Sequence, residues 1–424
     1  MIETIKICGG VTLHYARERQ FKSGIMTVRY LAPLDVDTAS AVTTLFRVLA
    51  RGTRRHPTCA DIRKESEMLW GATLYPMSAA LGEIQNIGFT ATFINDKYLP
   101  CGESAFDGTC RLMGEMIYDP LTEGDGKLLS SFVESERDNL IRELKNEDDK
   151  EELCRFKMEG RMFEGEPFSI CSDGDIEHAA LITSEDLTGF YHDFIMSAPI
   201  EVCILADIDR ERAIDRVREL FARTRQRRPD RNFPIATVQR RSPRPPQVIR
   251  ETRSLAQSRI CAGYRSGTVL GDPEFESFAL MCELLGRSPT NKLFTELREK
   301  RGLCYSCFLS TELYKGLVRV ECGPERSKTQ KAYETICETV DSLARGEFSA
   351  EDLESAKKSL ISAYRSVGDD PLSIASWHYR RYLVGVNKDP SEAISAVSAI
   401  TADQVTASAA LLDPDTCYIL EAER

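Results

Sequence analysis

The sequence predicts an α+β fold of two tandem homologous domains, each a mainly antiparallel sheet packed with long helices. At 424 residues the chain is too long for one ordinary core, which favours two units of about 200 residues each. The order of strands, turns and helices in the first half recurs in the second, as in a duplicated domain. Polar breaks between strands, such as Leu81–Glu83, are typical of hairpins and therefore of antiparallel pairing.

The first copy begins with a strand and a turn. Gly24–Tyr30 has the pattern of a strand, and Ala32–Asp35 contains the proline and aspartate of a turn. Apolar residues then recur at helical spacing, at Val42, Leu45, Phe46 and Leu49. A further strand is predicted at Gly88–Phe93, followed by an amphipathic helix that carries Cys110.

The second copy repeats this order. Ser258–Tyr264 is the predicted strand and Gly271–Pro273 the turn. The helical positions that follow are Phe278, Met281, Leu284 and Leu285. Gly316–Glu321 matches the second strand of the first copy, and the next predicted helix carries Cys337 at the place of Cys110.

Both copies end in the same way. Thr183–Asp186 and Thr401–Gln404 predict helix N-caps in which the third helical residue returns the hydrogen bond. A strand then closes each copy, at Val202–Leu205 and at Cys417–Leu420. The spacing between matching positions shrinks along the chain, so the second copy is the more compact one.

An arginine- and proline-rich segment separates the copies. Residues 223–250 hold nine arginines and five prolines, which disfavour a helix interior and a central strand. The predicted division is therefore a first domain at 1–226, a linker at 227–248 and a second domain at 249–424. A nucleic-acid patch is the other interpretation of a basic run, but Phe233 is its only aromatic residue, so a solvated linker is favoured.

The charge balance excludes some classes of partner. With 55 Lys and Arg against 66 Asp and Glu, the net charge of -11 argues against a protein that binds nucleic-acid phosphates and leaves cationic peptides possible. The chain has neither a signal-peptide pattern at its start nor a run of about 20 apolar residues, so we expect a cytoplasmic protein without a membrane span.

The cysteines indicate core residues. Fourteen are scattered along the chain, and a chain of this size without a secretory signal needs no disulfide framework. The single C-x-x-C, Cys304–Cys307, lacks a second pair for zinc and does not precede a helix, so we interpret it as structural. The glycine-rich phosphate loops and the G-x-S-x-G nucleophile motif are absent from the sequence.

Three segments carry a family resemblance: Leu49–Thr53, Leu69–Ala72 and, as the most specific, Leu293–Tyr305. They resemble segments of the insulinase/pitrilysin family of zinc peptidases, in the branch that includes mitochondrial processing peptidase. The resemblance spans essentially the whole chain and implies two domains that form a clam-shaped peptide chamber. It also places Arg298 and Tyr305 at the substrate-binding face of the second domain. The competing interpretation of Arg298 is a solvated charge at a helix end.

The zinc motif of active family members is missing. The resemblance puts the two histidines of the inverted H-x-x-E-H motif at Thr43 and Arg47, and its general-base glutamate at Phe46. None of these side chains supplies the ligands and the base that a catalytic zinc needs, and a guanidinium repels a divalent cation. The five histidines, His14, His56, His178, His192 and His378, form no pair at i, i+3 or i+4, so we expect no metal site.

Two glutamates seven residues apart remain from the site. By the resemblance, Glu143 takes the position of the third zinc ligand and Glu136 that of a supporting carboxylate. The alternative is an ordinary acidic surface helix, since further carboxylates surround both residues. Pairing of these glutamates with Arg47 is another possibility.

The resemblance implies a division of labour between two chains. In two-subunit members, one chain carries the zinc helix and its partner carries the arginine and tyrosine. We therefore expect a non-catalytic, peptide-binding subunit of a heterodimeric zinc peptidase, inactive alone, without a cofactor of its own and able to form a homodimer in isolation. Its ligand would be an unstructured peptide and its partner a zinc-bearing relative. The alternatives are a non-enzymatic scaffold or chaperone-like protein and, less favoured, an active peptidase that uses unrecognised residues.

Overall fold

The computed structural model describes residues 2–146, 148–224 and 233–423. Part of the predicted linker, 227–232, lies outside the described residues. The chain divides into two compact units, one formed by Met1–Asn146 with Ile170–Pro234 and the other by Glu147–Ser169 with Ile235–Arg424.

Eleven strands lie in the described ranges. They are β1 Glu3–Cys8, β2 Val11–Arg17, β3 Ser23–Pro33, β4 Thr73–Leu81, β5 Ile84–Ile94, β6 Ile200–Ala206, β7 Gln247–Arg253, β8 Arg259–Arg265, β9 Cys304–Glu312, β10 Leu317–Pro324 and β11 Asp413–Ala422.

The helices alternate irregularly with these strands. They are α1 Val36–Leu49, α2 Cys59–Met68, α3 Ala105–Tyr118, α4 Ser130–Leu144, α5 Lys150–Met162, α6 Ile176–Ala180, α7 Ser184–Ser197, α8 Arg210–Leu220, α9 Phe275–Cys282, α10 Lys292–Phe294, α11 Thr329–Ala344, α12 Ala350–Ser366, α13 Pro371–Tyr382, α14 Pro390–Ala399 and α15 Ala402–Ala410. Helices α9 and α10 continue as π-helical turns at Glu283–Arg287 and Thr295–Lys300.

The two sheets repeat one topology. The first has the order β1-β2-β6-β3-β5-β4 and the second β7-β11-β8-β10-β9. In each sheet the corresponding outer pair, β2 with β6 and β7 with β11, is parallel, and every other pairing is antiparallel. Among the described strands, β1 has no counterpart in the second sheet. The predicted α+β class with tandem homologous domains is confirmed.

The first sheet carries its helices on one apolar face. Because side chains alternate along a strand, Met26, Val28 and Tyr30 of β3 point to the same side and pack with Val42 and Phe46 of α1 in one core. Helix α1 starts where the Asp35 carboxylate accepts a hydrogen bond from the Asp37 backbone N–H. The packing of Val42 and Phe46 in the core determines which face of α1 is buried.

The predicted N-caps are present at both positions. Thr401 and Gln404 exchange side-chain and backbone hydrogen bonds in a complete capping box. Thr183 accepts from the Asp186 backbone N–H, but Asp186 Oδ2 takes its return bond from the Thr183 hydroxyl at 2.6 Å instead of from the backbone N–H.

Helix α5 packs with the second sheet. Its residues Cys154, Met158 and Met162 form a buried cluster with side chains of β8, β10 and β11. Arg265 and Asp415 add a fully buried ion pair at 2.8 Å. The division predicted from the sequence follows chain order and counts this segment with the first copy, whereas its packing joins it to the second.

Candidate functional site

Helices α1 and α4 pack against each other in the first unit, and charged pairs connect them. Arg47 Nη1 lies 2.8 Å from Glu143 Oε2, and Arg51 Nη1 lies 2.8 Å from Glu136 Oε1. Glu136 is buried, whereas the Glu143 side chain is 60% exposed. Pairing of Arg47 with one of these glutamates, an alternative that the sequence left open, is present in the structure.

Thr43 is held by a loop that follows α5. Its hydroxyl lies 3.3 Å from the Ser172 carbonyl oxygen and 3.2 Å from Asp173 Oδ1, and it accepts a hydrogen bond from Gln85 Nε2 at 3.0 Å. Gln85 Nε2 also donates to the Ser172 carbonyl oxygen at 2.6 Å. The hydroxyl therefore fastens the loop to α1.

Phe46 belongs to an aromatic cluster in the core. Its ring centroid lies 5.3 Å from that of Tyr30, 5.5 Å from Phe89 and 6.2 Å from Phe194. The side chain is 1% exposed. A carboxylate at this position would lose its hydration in an apolar environment, so the surroundings suit an aromatic ring and not a general base.

These residues do not fit a catalytic zinc ion. Such a site needs three protein ligands and an open position for water. Here the one carboxylate in a ligand position, Glu143, is occupied by Arg47. Over the described ranges, no group of three His, Cys, Asp or Glu side chains is placed to hold a metal ion.

The histidines have other partners. Three pair with carboxylates, namely His14 with Glu201 at 3.0 Å, His56 with Glu115 at 3.3 Å and His178 with Asp175 at 2.7 Å. The hydrogen bond to Asp175 raises the pKa of His178. His192 and His378 lie beside tyrosine rings. Each of the five histidines therefore has a contact within the chain that requires no metal ion.

Arg298 lies between two aromatic rings in the second unit. Asn291 caps α10 by accepting from the Phe294 backbone N–H, and the following π-helical turn carries Arg298. Its guanidinium carbon is 5.0 Å from the centroid of Phe294 and 4.8 Å from that of Tyr305. Cation–π contact of this kind holds a guanidinium in place without neutralising it.

The surroundings of Arg298 are open to solvent. Arg298 is exposed, Tyr305 is 74% exposed, and among the described residues no carboxylate pairs with this guanidinium. Tyr305 is the second residue of β9, which is the edge strand of its sheet. The structure brings the two predicted site residues into contact, and their role in substrate binding stays a prediction.

One neighbouring feature was not expected from the sequence. Cys322 of β10 lies opposite Cys307 of β9, so the C-x-x-C segment has a third thiol beside it. The strand register brings these cysteines together, and the register cannot be derived from the spacing of residues along the chain.

No helix in the described ranges combines the length and the apolar composition needed to cross a bilayer. Localisation in the cytoplasm stays a prediction.

Comparisons with known proteins agree with this geometry. Residues 181–360 match the family described as "Peptidase M16 inactive domain". The chain is 25% identical over 417 residues to the probable inactive metalloprotease YmfF of Bacillus subtilis, which covers 97% of this chain and 96% of that protein.

Solved structures show the same fold over the whole chain. A conserved protein from Enterococcus faecalis superposes with a TM-score of 0.91 at 20% identity, covering 100% of this chain and 99% of that one. A peptidase M16 inactive domain from Pseudomonas fluorescens gives a TM-score of 0.81 at 15% identity, with 100% and 98% covered.

Proposed function

We propose that this chain is a degenerate, non-catalytic member of the insulinase-type (M16) family of zinc peptidases and serves as the peptide-binding subunit of a two-chain peptidase whose zinc lies in the partner. Peptide binding and the partner are the parts of this proposal that require experiment. The observation that carries them is the exposed guanidinium of Arg298, held between Phe294 and Tyr305 without a carboxylate partner among the described residues.

The chemistry of this pair suits a peptide. A guanidinium donates in a fork that matches a carboxylate or two peptide carbonyls, and its positive charge remains available because the two rings do not neutralise it. A tyrosine hydroxyl can donate to the oxygen of a tetrahedral intermediate formed in the partner's site. Both groups would then bind the substrate, and the zinc ion that takes part in the reaction would lie in the partner.

The position on an edge strand adds a backbone component. Strand β9 pairs with β10 on one side, and within the described part of the chain no strand pairs with it on the other side. Edge strands offer free N–H and C=O groups to an extended chain, and such pairing requires no particular peptide sequence. An unstructured peptide is the ligand that these features support.

The test is peptide cleavage by this chain mixed with a zinc-bearing M16 relative from the same cell. Replacing one donor that acts on a tetrahedral intermediate lowers kcat by about 10²–10³-fold, and we expect losses of this order for Arg298→Ala and Tyr305→Phe. Matched controls are Arg365→Ala and Tyr98→Phe, which change exposed residues of the same types on α12 and beside β5. Unchanged turnover in an intact complex would refute the assignment.

A non-enzymatic scaffold is the alternative function. A scaffold would bind a folded partner with the same affinity before and after Tyr305→Phe, and it would not retain unstructured peptides. Measuring both affinities by calorimetry separates the two functions, because only a peptide-binding subunit loses affinity for an extended peptide when Arg298 or Tyr305 is changed.

A further inference from the structure

A buried guanidinium in the second unit has no acidic partner of its own. Arg381 lies near the end of α13, and its exposed fraction is 6%. Among residues 2–146, 148–224 and 233–423, no carboxylate lies within ion-pair distance of this guanidinium, and no group accepts a hydrogen bond from it. Buried charges are normally paired, because the transfer of an unpaired charge out of water is costly. The missing partner of Arg381 therefore requires an explanation.

An aromatic ring covers one face of the guanidinium. The guanidinium carbon of Arg381 lies 3.3 Å from the ring centroid of Trp377, one helical turn earlier on α13. The indole is itself held in place, because its Nε1 donates to the Lys388 carbonyl oxygen at 2.9 Å and its ring meets that of Tyr364 edge-on. Stacking on a ring engages the face of a guanidinium and leaves the N–H donors at its edge available.

The acid that acts on Arg381 already has partners. Glu276 of α9 is buried, and its Oε2 accepts from the Tyr364 hydroxyl at 2.8 Å. Its Oε1 lies 3.4 Å from the Lys388 ammonium. Arg381 and Lys388 thus share one carboxylate, and Arg380 adds a further positive charge from α13. This cluster is short of at least one negative charge.

Burial disfavours the charge of Arg381. Desolvation lowers the pKa of Arg381, although Tyr364 and Glu276 oppose this effect. A guanidinium nevertheless stays protonated in proteins, so loss of a proton does not relieve the buried charge. A bound anion would relieve it, and the exposed remainder of the side chain gives such an ion access from solvent.

We propose that Arg381 binds a small monovalent anion, which is either a carboxylate of the size of acetate or a halide such as chloride. A single negative charge balances the excess of Arg381 and Lys388 over Glu276, which favours a monovalent ion over phosphate or sulfate. The edge of the guanidinium can donate two parallel hydrogen bonds to a carboxylate or converge on one halide. The proposal does not depend on peptide binding at Arg298.

The experiment measures thermal unfolding of the full chain in sodium salts at constant ionic strength. Acetate replaces bulky gluconate in one series and chloride replaces it in another. A ligand that binds the folded state raises the unfolding temperature with a logarithmic dependence on its concentration above Kd, and a tenfold excess over Kd gives a few degrees. We expect this increase in at least one series, and the series that shows it identifies the ion.

The deciding variant is Arg381→Met. Methionine keeps an apolar chain against Trp377 and removes the charge and the donors, so the unfolding temperature should no longer respond to the anion. The matched control is Arg380→Met, which removes an exposed charge from the adjacent position of the same helix and should respond like the wild type. The comparison separates binding at Arg381 from the general effect of a salt.

Three outcomes would overturn the proposal. They are the absence of stabilisation in both series, an equal response of the wild type and Arg381→Met, and loss of the response in Arg380→Met alone. If Arg381→Met does not fold, crystals of the wild type provide the second measurement. Electron density for acetate, or an anomalous signal from bromide in place of chloride, should lie beside the Arg381 guanidinium, and an empty site in both salts would contradict the assignment.

Discussion

The guanidinium of Arg47 and the carboxylate of Glu143 are 2.8 Å apart, so an ion pair joins α1 to α4 where the family resemblance places two zinc ligands. The carboxylate of Glu143, which the resemblance gives as a zinc ligand, is therefore paired with a cation of the same chain. Thr43 is likewise hydrogen-bonded to the 172–173 loop. The residues at the zinc-ligand positions therefore make contacts that hold parts of the fold together.

The ion pairs that α4 makes with Arg47 of α1 and with Arg51, two residues beyond the end of α1, should differ in their effect on stability. Arg47→Ala should lower the unfolding free energy by less than about 1 kcal/mol, because Glu143 is largely solvated. Glu136→Ala should cost about 1–2 kcal/mol, because Glu136 is buried and Arg51 would lose its partner. Urea unfolding of both variants checks the order, and a larger loss for Arg47→Ala would contradict it.

The purified chain should contain far less than one zinc ion. Arg47 repels a divalent cation, and Thr43 and Phe46 supply neither ligand nor base. Elemental mass spectrometry measures the zinc content, with a zinc-bearing relative purified in parallel as the control. About one tightly bound zinc per chain would show that other residues form a metal site.

Acid should loosen helix α5. Hydrogen bonds from Lys157 and Tyr418 lower the pKa of Glu251 on β7 to about 2, from an ordinary value of 4.5. A depressed carboxylate pKa stabilises the fold above about pH 4.5, and this contribution is lost as the pH falls towards 2. With partial exposure it amounts to about 1–2 kcal/mol.

The matched variant for this pH effect is Glu251→Gln. Its unfolding free energy should change less between pH 5 and pH 2.5 than that of the wild type. The protection of residues 150–162 against hydrogen exchange, relative to the intrinsic rate at each pH, should no longer decrease over that range. Equal slopes for both proteins would show that Glu251 does not hold α5.

The buried cation Lys315 should be one of the most sensitive positions of the second unit. Its ammonium lies 2.5 Å from Glu166 and 2.6 Å from the Thr237 carbonyl oxygen, and its side chain is fully buried. Lys315→Met should cost about 3 kcal/mol, because it removes the nearer cation of Glu166 and leaves only the guanidinium of Arg265, at 3.6 Å. Thermal unfolding measures the loss.

The double variant Lys315→Met with Glu166→Leu provides the control for that prediction. Removing both charges avoids a buried carboxylate that keeps only its more distant partner, Arg265, so the pair of substitutions should cost less than Lys315→Met alone. Additive losses would indicate that packing of the lysine chain, and not its charge, stabilises the unit.

Local patterns were sufficient for much of the fold. The strand at Gly24–Tyr30 lies within β3 and the apolar spacing from Val42 lies within α1, because alternation and helical periodicity are properties of neighbouring residues. The loss of the zinc motif was identified from the family resemblance, which places the motif at Thr43, Phe46 and Arg47. Pairing of Arg47 with Glu143 was one of the alternatives that the sequence left open.

The remaining features depend on contacts between distant segments. Cys322 faces Cys307 because two strands pair in one register, and α5 packs on β8 and β11 although more than 90 residues separate it from either. The shift in register at the start of β9, where Cys304 pairs with Pro324, is likewise a property of the strand pair. None of these relationships is contained in the spacing of residues along one segment.

Because α5 belongs to the second unit, the chain passes from one unit to the other three times, near residues 146, 169 and 234. Each unit is therefore formed by two separate stretches of the chain. A gene split at the arginine- and proline-rich segment would produce a first half that carries a helix of its neighbour and a second half that lacks it. Evolution could separate the halves only by moving that helix, so the duplication has become hard to reverse.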